Sequence, residues 1–203
     1  RELPEAFRRG ITSFKVFMTY DLMNIDDSQF LDILTVAKAH GALTMVHAEN
    51  NGMIKWMSKR LLEKGLTAPR YHAVSHPALA EEEAIHRAIS LAKLADAALM
   101  IVHVSTREGA DLVSRARLDG AKIHAETCPQ YLVLTADDLD LEDFEGAKFV
   151  CSPPPRDKES QDACWSGLEN GIANPGASPK ELAPTSQQQL QWPKWGQFVE
   201  TGG

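Results

Sequence analysis

Apolar positions along this chain fall into two alternating rhythms. Short blocks rich in aromatic and β-branched residues, beginning with "SFKVFM" at residues 13–18, read as strands. After each, apolar residues recur every three or four positions, the spacing of one helix face. Residues 26–41 form the first such stretch, with Asp27 or Ser28 as its cap, Phe30, Leu31, Leu34 and Ala37 as its stripe, and Gly41 as its end. Residues 42–48 read as a strand, 51–65 as a helix on Ile54, Met57 and Leu61, and 80–95 as a longer helix on Ile85, Ile89 and Ala92. Acidic residues in the first turn of the last suit the helix dipole. The block 98–104 is apolar on both faces, as parallel strands are. "STRE", Ser105 to Glu108, fits a capping box for a helix closing at Gly120. Residues 121–126 and 147–152 read as two further strands.

Strands alternating with helices predict an α/β fold, a parallel sheet with helices outside it. A TIM-like (β/α)8 barrel needs ~250 residues and eight strands. With 203 residues and about five strands, the choice is an open sheet or part of a barrel. The pattern divides the chain into a domain over residues 1–171 and a tail over 172–203. Pro175, Pro179, Pro184, Pro193 and a glutamine cluster at 187–189 give that tail no apolar period, so it reads as irregular or frame-shifted near Gly171.

Charge and cysteine usage narrow the setting. A formal net charge of −7 without a Lys/Arg run excludes a nucleic-acid footprint. No apolar stretch is long enough for a bilayer, and the N-terminus lacks the core of a signal peptide. Cys128, Cys151 and Cys164 are odd in number and far apart, which argues for small core hydrophobes in a reducing cytoplasm.

Three residues carry candidate chemistry. His47 and His103 stand near the C-terminal ends of their strands, in "MVHAEN" and "IVHVST", where α/β barrels build their sites. A single strand histidine is more often a satisfied core residue; two at matching positions raise the case for zinc ligation without displacing that reading. Lys15 sits in an apolar run that reads as a buried strand. It either snorkels its ammonium to the rim or loses its proton on burial and becomes a nucleophilic amine. Such an amine adds carbon dioxide to give an anionic carbamate. His40, His72, His76, His86 and His124 read as structural or surface residues, with His124 the closest to the same cleft. The acidic run 137–143 reads as a solvated surface.

"GITSFKVFMTY", "TMVHAEN", "HPALAEEEAIHRAI", "IVHVST", "AETCPQYL" and "FVCSPPPR" occur in this order. Together they resemble the dihydropyrimidinase and D-hydantoinase group of the amidohydrolase superfamily, from about residue 8 to residue 171. The resemblance implies a (β/α)8 barrel with a binuclear zinc centre and a homotetramer. Lys15 would be the carboxylated lysine bridging the metals, and His47 and His103 the ligands of the more exposed one. Tyr20 would steady the oxyanion at the attacked carbonyl, and Ser152 would meet the substrate's ring amide through its backbone. The implied reaction opens the cyclic amide of dihydropyrimidines or 5-substituted hydantoins to N-carbamoyl amino acids, a C–N hydrolysis outside peptide bonds.

The resemblance is partial. The family's His-x-His pair would lie upstream of residue 1, and its last-strand aspartate and substrate-contacting asparagine would lie where residues 172–203 stand. Only one three-ligand site is implied here, so impaired activity is expected. Allantoinase and dihydroorotase share the same lysine and histidines, and a non-catalytic assembly protein of the same fold is the reading from another class.

Overall fold

The computed structural model describes residues 2–169. Within them the chain runs α1 (Leu3–Arg8), β1 (Ser13–Phe17), α2 (Asp27–Ala39), β2 (Leu43–His47), α3 (Asn51–Glu63), α4 (Arg70–Ser75), α5 (Ala78–Ala95), β3 (Leu99–Ile101), α6 (Arg107–Leu118), β4 (Ile123–Ala125), α7 (Pro129–Val133) and α8 (Lys158–Glu169). Two 3-10 segments, Ala136–Asp140 and Glu142–Phe149, precede α8. The proposed boundary at residue 171 and the tail at 172–203 lie outside the described residues.

The four strands pair in parallel in the order β1-β2-β3-β4. Spatial order follows chain order without a reversal. That is the winding of a barrel wall, whereas an open doubly wound sheet reverses at a switch point. The described sheet has the winding of part of a (β/α)8 barrel.

One face of the sheet carries Val16, Thr44, Val46, Leu99, Ile101 and Ile123, all buried. They pack against Phe30 and Leu34 of α2, Ala84, Ile85, Ala88 and Ile89 of α5, and Val113 and Ala116 of α6. Phe30, Leu34, Ile85 and Ile89 are among the residues that the helical spacing put on the apolar stripes, and burial of that face is what holds the layer together. Alternation along each strand sends the remaining residues to the inner face. The register Lys15↔Met45, Met45↔Met100, Met100↔His124 lays them in one row across the sheet.

Four expectations change. Lys15 was expected inside, but it is exposed, because the inner face has no second layer over it among the described residues. Helix α2 is capped by Asp26, one residue early: its carboxylate accepts from the Gln29 N–H while the Gln29 side chain answers the Asp26 N–H. Helix α6 is capped by Thr106, whose hydroxyl accepts from the Gly109 N–H, because the Ser105 hydroxyl is held by buried Glu81. Residues 147–152 are not a strand. The Cys151 carbonyl accepts from His72 Nε2 at 2.8 Å and that of Pro153 from the Tyr131 hydroxyl at 2.7 Å, and Pro153, Pro154 and Pro155 have no N–H for a ladder.

The segment before that loop is tightly fitted. A Cβ on Gly146 would stand 2.2 Å from the Leu139 carbonyl oxygen and 2.5 Å from its carbon. Both are backbone atoms, so relief requires moving the turn. Gly146→Ala is expected to destabilise the chain by about 1–3 kcal/mol, read from urea unfolding.

Candidate metal centre

The parallel winding brings the C-terminal ends of β1, β2 and β3 together, and with them the side chains singled out in the sequence. His47 closes β2, and His103 stands two residues past β3. Their ring centroids are 4.5 Å apart, edge to face. Lys15 Nζ lies 3.5 Å from His103 Nε2 and 5.0 Å from the Phe17 ring. Phe17 stacks on His47 at 5.7 Å, and the Tyr20 ring is 5.1 Å from His47. Tyr20 and His103 take positive φ, 69° and 44°, so each leaves its strand through a left-handed turn.

Burial and charge set the protonation of this group. His103 is pushed down to about 2, first by desolvation and then by His47 and Lys15. It is a neutral imidazole with a lone pair across the physiological range. Desolvation also lowers Lys15, opposed by Glu126 and Cys128. The Lys15 side chain is exposed at its surface, yet the wall of the site around its amine is enough to lower it. Tyr20 is raised by desolvation and by Glu49, and its phenol stays protonated at neutral pH.

His47 and Glu49 are fully buried, with Nε2 2.7 Å from Glu49 Oε2. That contact leaves Nδ1 as the His47 nitrogen available to a ligand. The other carboxylate oxygen, Oε1, is buried without a hydrogen-bond partner.

The site continues into the loop after Phe149. Tyr20 stands beside the Ser152 side chain, which acts to lower the phenol pKa against the larger upward shift, and the Ser152 Oγ is 3.1 Å from His72 Nε2. The structure thus brings Lys15, Tyr20, His47, His103 and Ser152 into one contiguous arc. His72, read as structural, belongs to it, holding both Cys151 and Ser152. Helical spacing could have paired it with His76, whose ring is 4.3 Å away. Glu49 received no role from the sequence. The available signal was its position two residues after His47, which puts both on one side of an extended segment. His124 stays apart, exposed on the inner face at the row's far end. No helix of the described residues is long and apolar enough to cross a membrane.

The donor set suits one cation. The Lys15 amine, 3.5 Å from His103 Nε2, and the His47 and His103 rings, 4.5 Å apart, converge on one point where a carbamate's oxygens and two imidazoles could meet. Among the described residues no three His, Cys, Asp or Glu side chains are grouped to hold a metal. A lysine serves only after losing its proton, and as a carbamate it offers anionic oxygen.

Comparison with known proteins returns a consistent set of relatives. No family model matches the chain. It is 49% identical over 164 residues to a D-hydantoinase of Rhizobium radiobacter, covering 80% of this chain and 36% of that protein. With a D-hydantoinase of Geobacillus stearothermophilus it shares 47% identity over 172 residues, 84% of this chain and 36% of that protein. The crystal structure of a dihydropyrimidinase from Brevibacillus agri superposes with a TM-score of 0.82 at 48% identity, over 84% of this chain and 38% of the other. The chain spans just over a third of the length of the relatives it matches.

Proposed function

We propose that this chain, which belongs to the dihydropyrimidinase and D-hydantoinase group and carries part of its barrel, supplies one metal-binding half of a cyclic-amide hydrolase. The reaction is ring opening of a dihydropyrimidine or 5-substituted hydantoin to an N-carbamoyl amino acid. The observation that supports it best is the convergence of Lys15, His103 and His47 at three adjacent strand ends. The relatives' names, D-hydantoinase and dihydropyrimidinase, support the substrate class.

In this reading Lys15 and the two imidazoles hold a divalent cation, zinc by resemblance. Bound there, it supplies Lewis acidity and acidifies water. The Lys15 amine, with its pKa lowered, attacks carbon dioxide through nitrogen and releases a proton, leaving a carbamate. Neutral His103 offers its lone pair without first losing a proton. Tyr20 stays a phenol at neutral pH and donates a hydrogen bond to the carbonyl oxygen as charge develops there. Ser152 faces the ring amide through its backbone, in a loop that His72 holds by the Cys151 carbonyl. Homotetramer assembly and a reducing cytoplasm complete the proposal; the free thiols of Cys128, Cys151 and Cys164 suit the latter.

Zinc titration of the purified chain in bicarbonate, with intact-mass measurement, tests this. One zinc per chain and a mass gain of one carbon dioxide are expected. Lys15→Met and His103→Asn are each expected to weaken zinc by more than ~100-fold, beyond the range for losing an outer partner. Unchanged binding in either variant would remove that residue from the ligand set. Neither zinc nor the adduct in the parent chain would leave the non-catalytic assembly reading. Turnover of dihydrouracil or 5-phenylhydantoin then measures how much activity this part retains.

A further inference from the structure

We propose that Glu49 is a positioning residue of this centre, holding His47 in the tautomer and orientation that present a lone pair to the cation. The inference rests on the metal-site reading above. It is carried by three features of Glu49. Its Oε2 is 2.7 Å from His47 Nε2, within range for a charge-assisted hydrogen bond. Both side chains are almost wholly shielded, with 3% of His47 and none of Glu49 exposed, so the contact is protected from solvent screening. And Oε1 is buried with no partner among the described residues.

The orphan oxygen argues that the carboxylate is there for more than the fold. A buried ionised carboxylate with half its acceptors unmet is costly, and a purely structural polar group is normally satisfied. A cation held on the far side of the same imidazole offsets that cost. The His47 Nε2–H donates to Glu49, which fixes the lone pair on Nδ1 and holds the ring's orientation. Carboxylate partners of this kind typically change metal affinity 10–100-fold.

A structural role has other candidates nearby, and they are occupied separately. The end of β2 is tied to α5 by the Asn50 N–H on the Ala80 carbonyl and by the Asn50 side chain on Glu83. Glu49 makes neither contact, so its removal leaves those ties in place.

The test is zinc titration of the full chain as parent, Glu49→Gln, His47→Ala and the double variant, with urea unfolding of each in chelator. Glu49→Gln is expected to weaken zinc 10–100-fold, and to have no further effect in the His47→Ala background. That dependence separates positioning from a structural role, which would shift the urea midpoint and add to His47→Ala. Unchanged affinity in Glu49→Gln, or additive losses in the double variant, overturns the inference while the metal site stands. If the parent binds no zinc, or His47→Ala binds as well as the parent, the metal-site reading falls and the inference with it. Should Glu49→Gln fail to fold, Glu49→Asp keeps the charge with a shorter reach, and the same loss of affinity is expected from it.

Discussion

Arg156→Met is expected to lower unfolding stability by about 3–5 kcal/mol, the range for stripping one partner from a buried ion pair. Arg156 and Glu81 are 7% and 2% exposed at their side chains and meet at 3.0 Å. The Glu81 carboxylate also accepts from the Ser105 N–H at 2.8 Å and from the Ser105 hydroxyl, while Arg156 donates to Ser105 Oγ at 3.0 Å and to the His76 carbonyl. Removing the guanidinium leaves a carboxylate in the core beside the turn that follows His103. The exposed pairs, such as Lys59 with Glu63, are worth under about 1 kcal/mol by comparison. The double variant Glu81→Gln/Arg156→Met is expected to recover most of the loss, because the amide oxygen still accepts from the Ser105 N–H and no charge is stranded. Urea midpoints of the three chains check this. A single-variant loss under about 1 kcal/mol would show that the pair contributes no more than a surface one.

The second large effect concerns acid. His103 is partly buried and is held near 2 when folded, against about 6.5 when unfolded. Between those values the unfolded chain binds a proton that the folded chain refuses, so stability falls as the pH drops below 6.5. The slope approaches about 1.4 kcal/mol per pH unit once the pH is a unit or so below 6.5, which amounts to roughly 2 kcal/mol between pH 6.5 and 4.5. Above pH 6.5 both states hold a neutral ring and His103 contributes no slope. Unfolding by urea in chelator, repeated across that range, should show His103→Asn with a shallower acid limb by about one proton. Parallel limbs in the two chains would mean that His103 charges freely in the folded state.

How far the sequence could be read depends on the range of the interaction. The strand-helix alternation was legible because it is written in spacing: Val16, Val46 and Ile101 face the helices as their blocks predict. Cap positions slipped by a residue where two cap-forming side chains adjoin. Asp26 competes with Asp27 and Ser28, and Thr106 with Ser105, and long-range partners decide between the last two. The segment 147–152 has strand composition, yet its carbonyl partner His72 is 79 residues away in sequence. Such a contact leaves no local trace. Lys15 was placed inside from its apolar neighbours, but its exposure depends on what covers the inner face. His47 and His103 could be paired from their strand positions. The roles of Tyr20 and Ser152 came from resemblance, since a tyrosine after a strand and a serine before prolines carry no spacing signal. Glu81 shows the same boundary: an acid in a first helical turn predicts solvent and dipole, and the fold buries it against Arg156.

Tyr20 and His103 turn the chain through backbone angles that side chains with a Cβ adopt at a cost of about 1–3 kcal/mol. Glycine sits there without penalty. A directed-evolution campaign selecting on heat resistance alone would drift towards glycine at those two codons, enriching sturdier chains that have discarded a phenol and an imidazole. Ranking library members by melting temperature would thus select against the two groups that the proposed ring opening relies on.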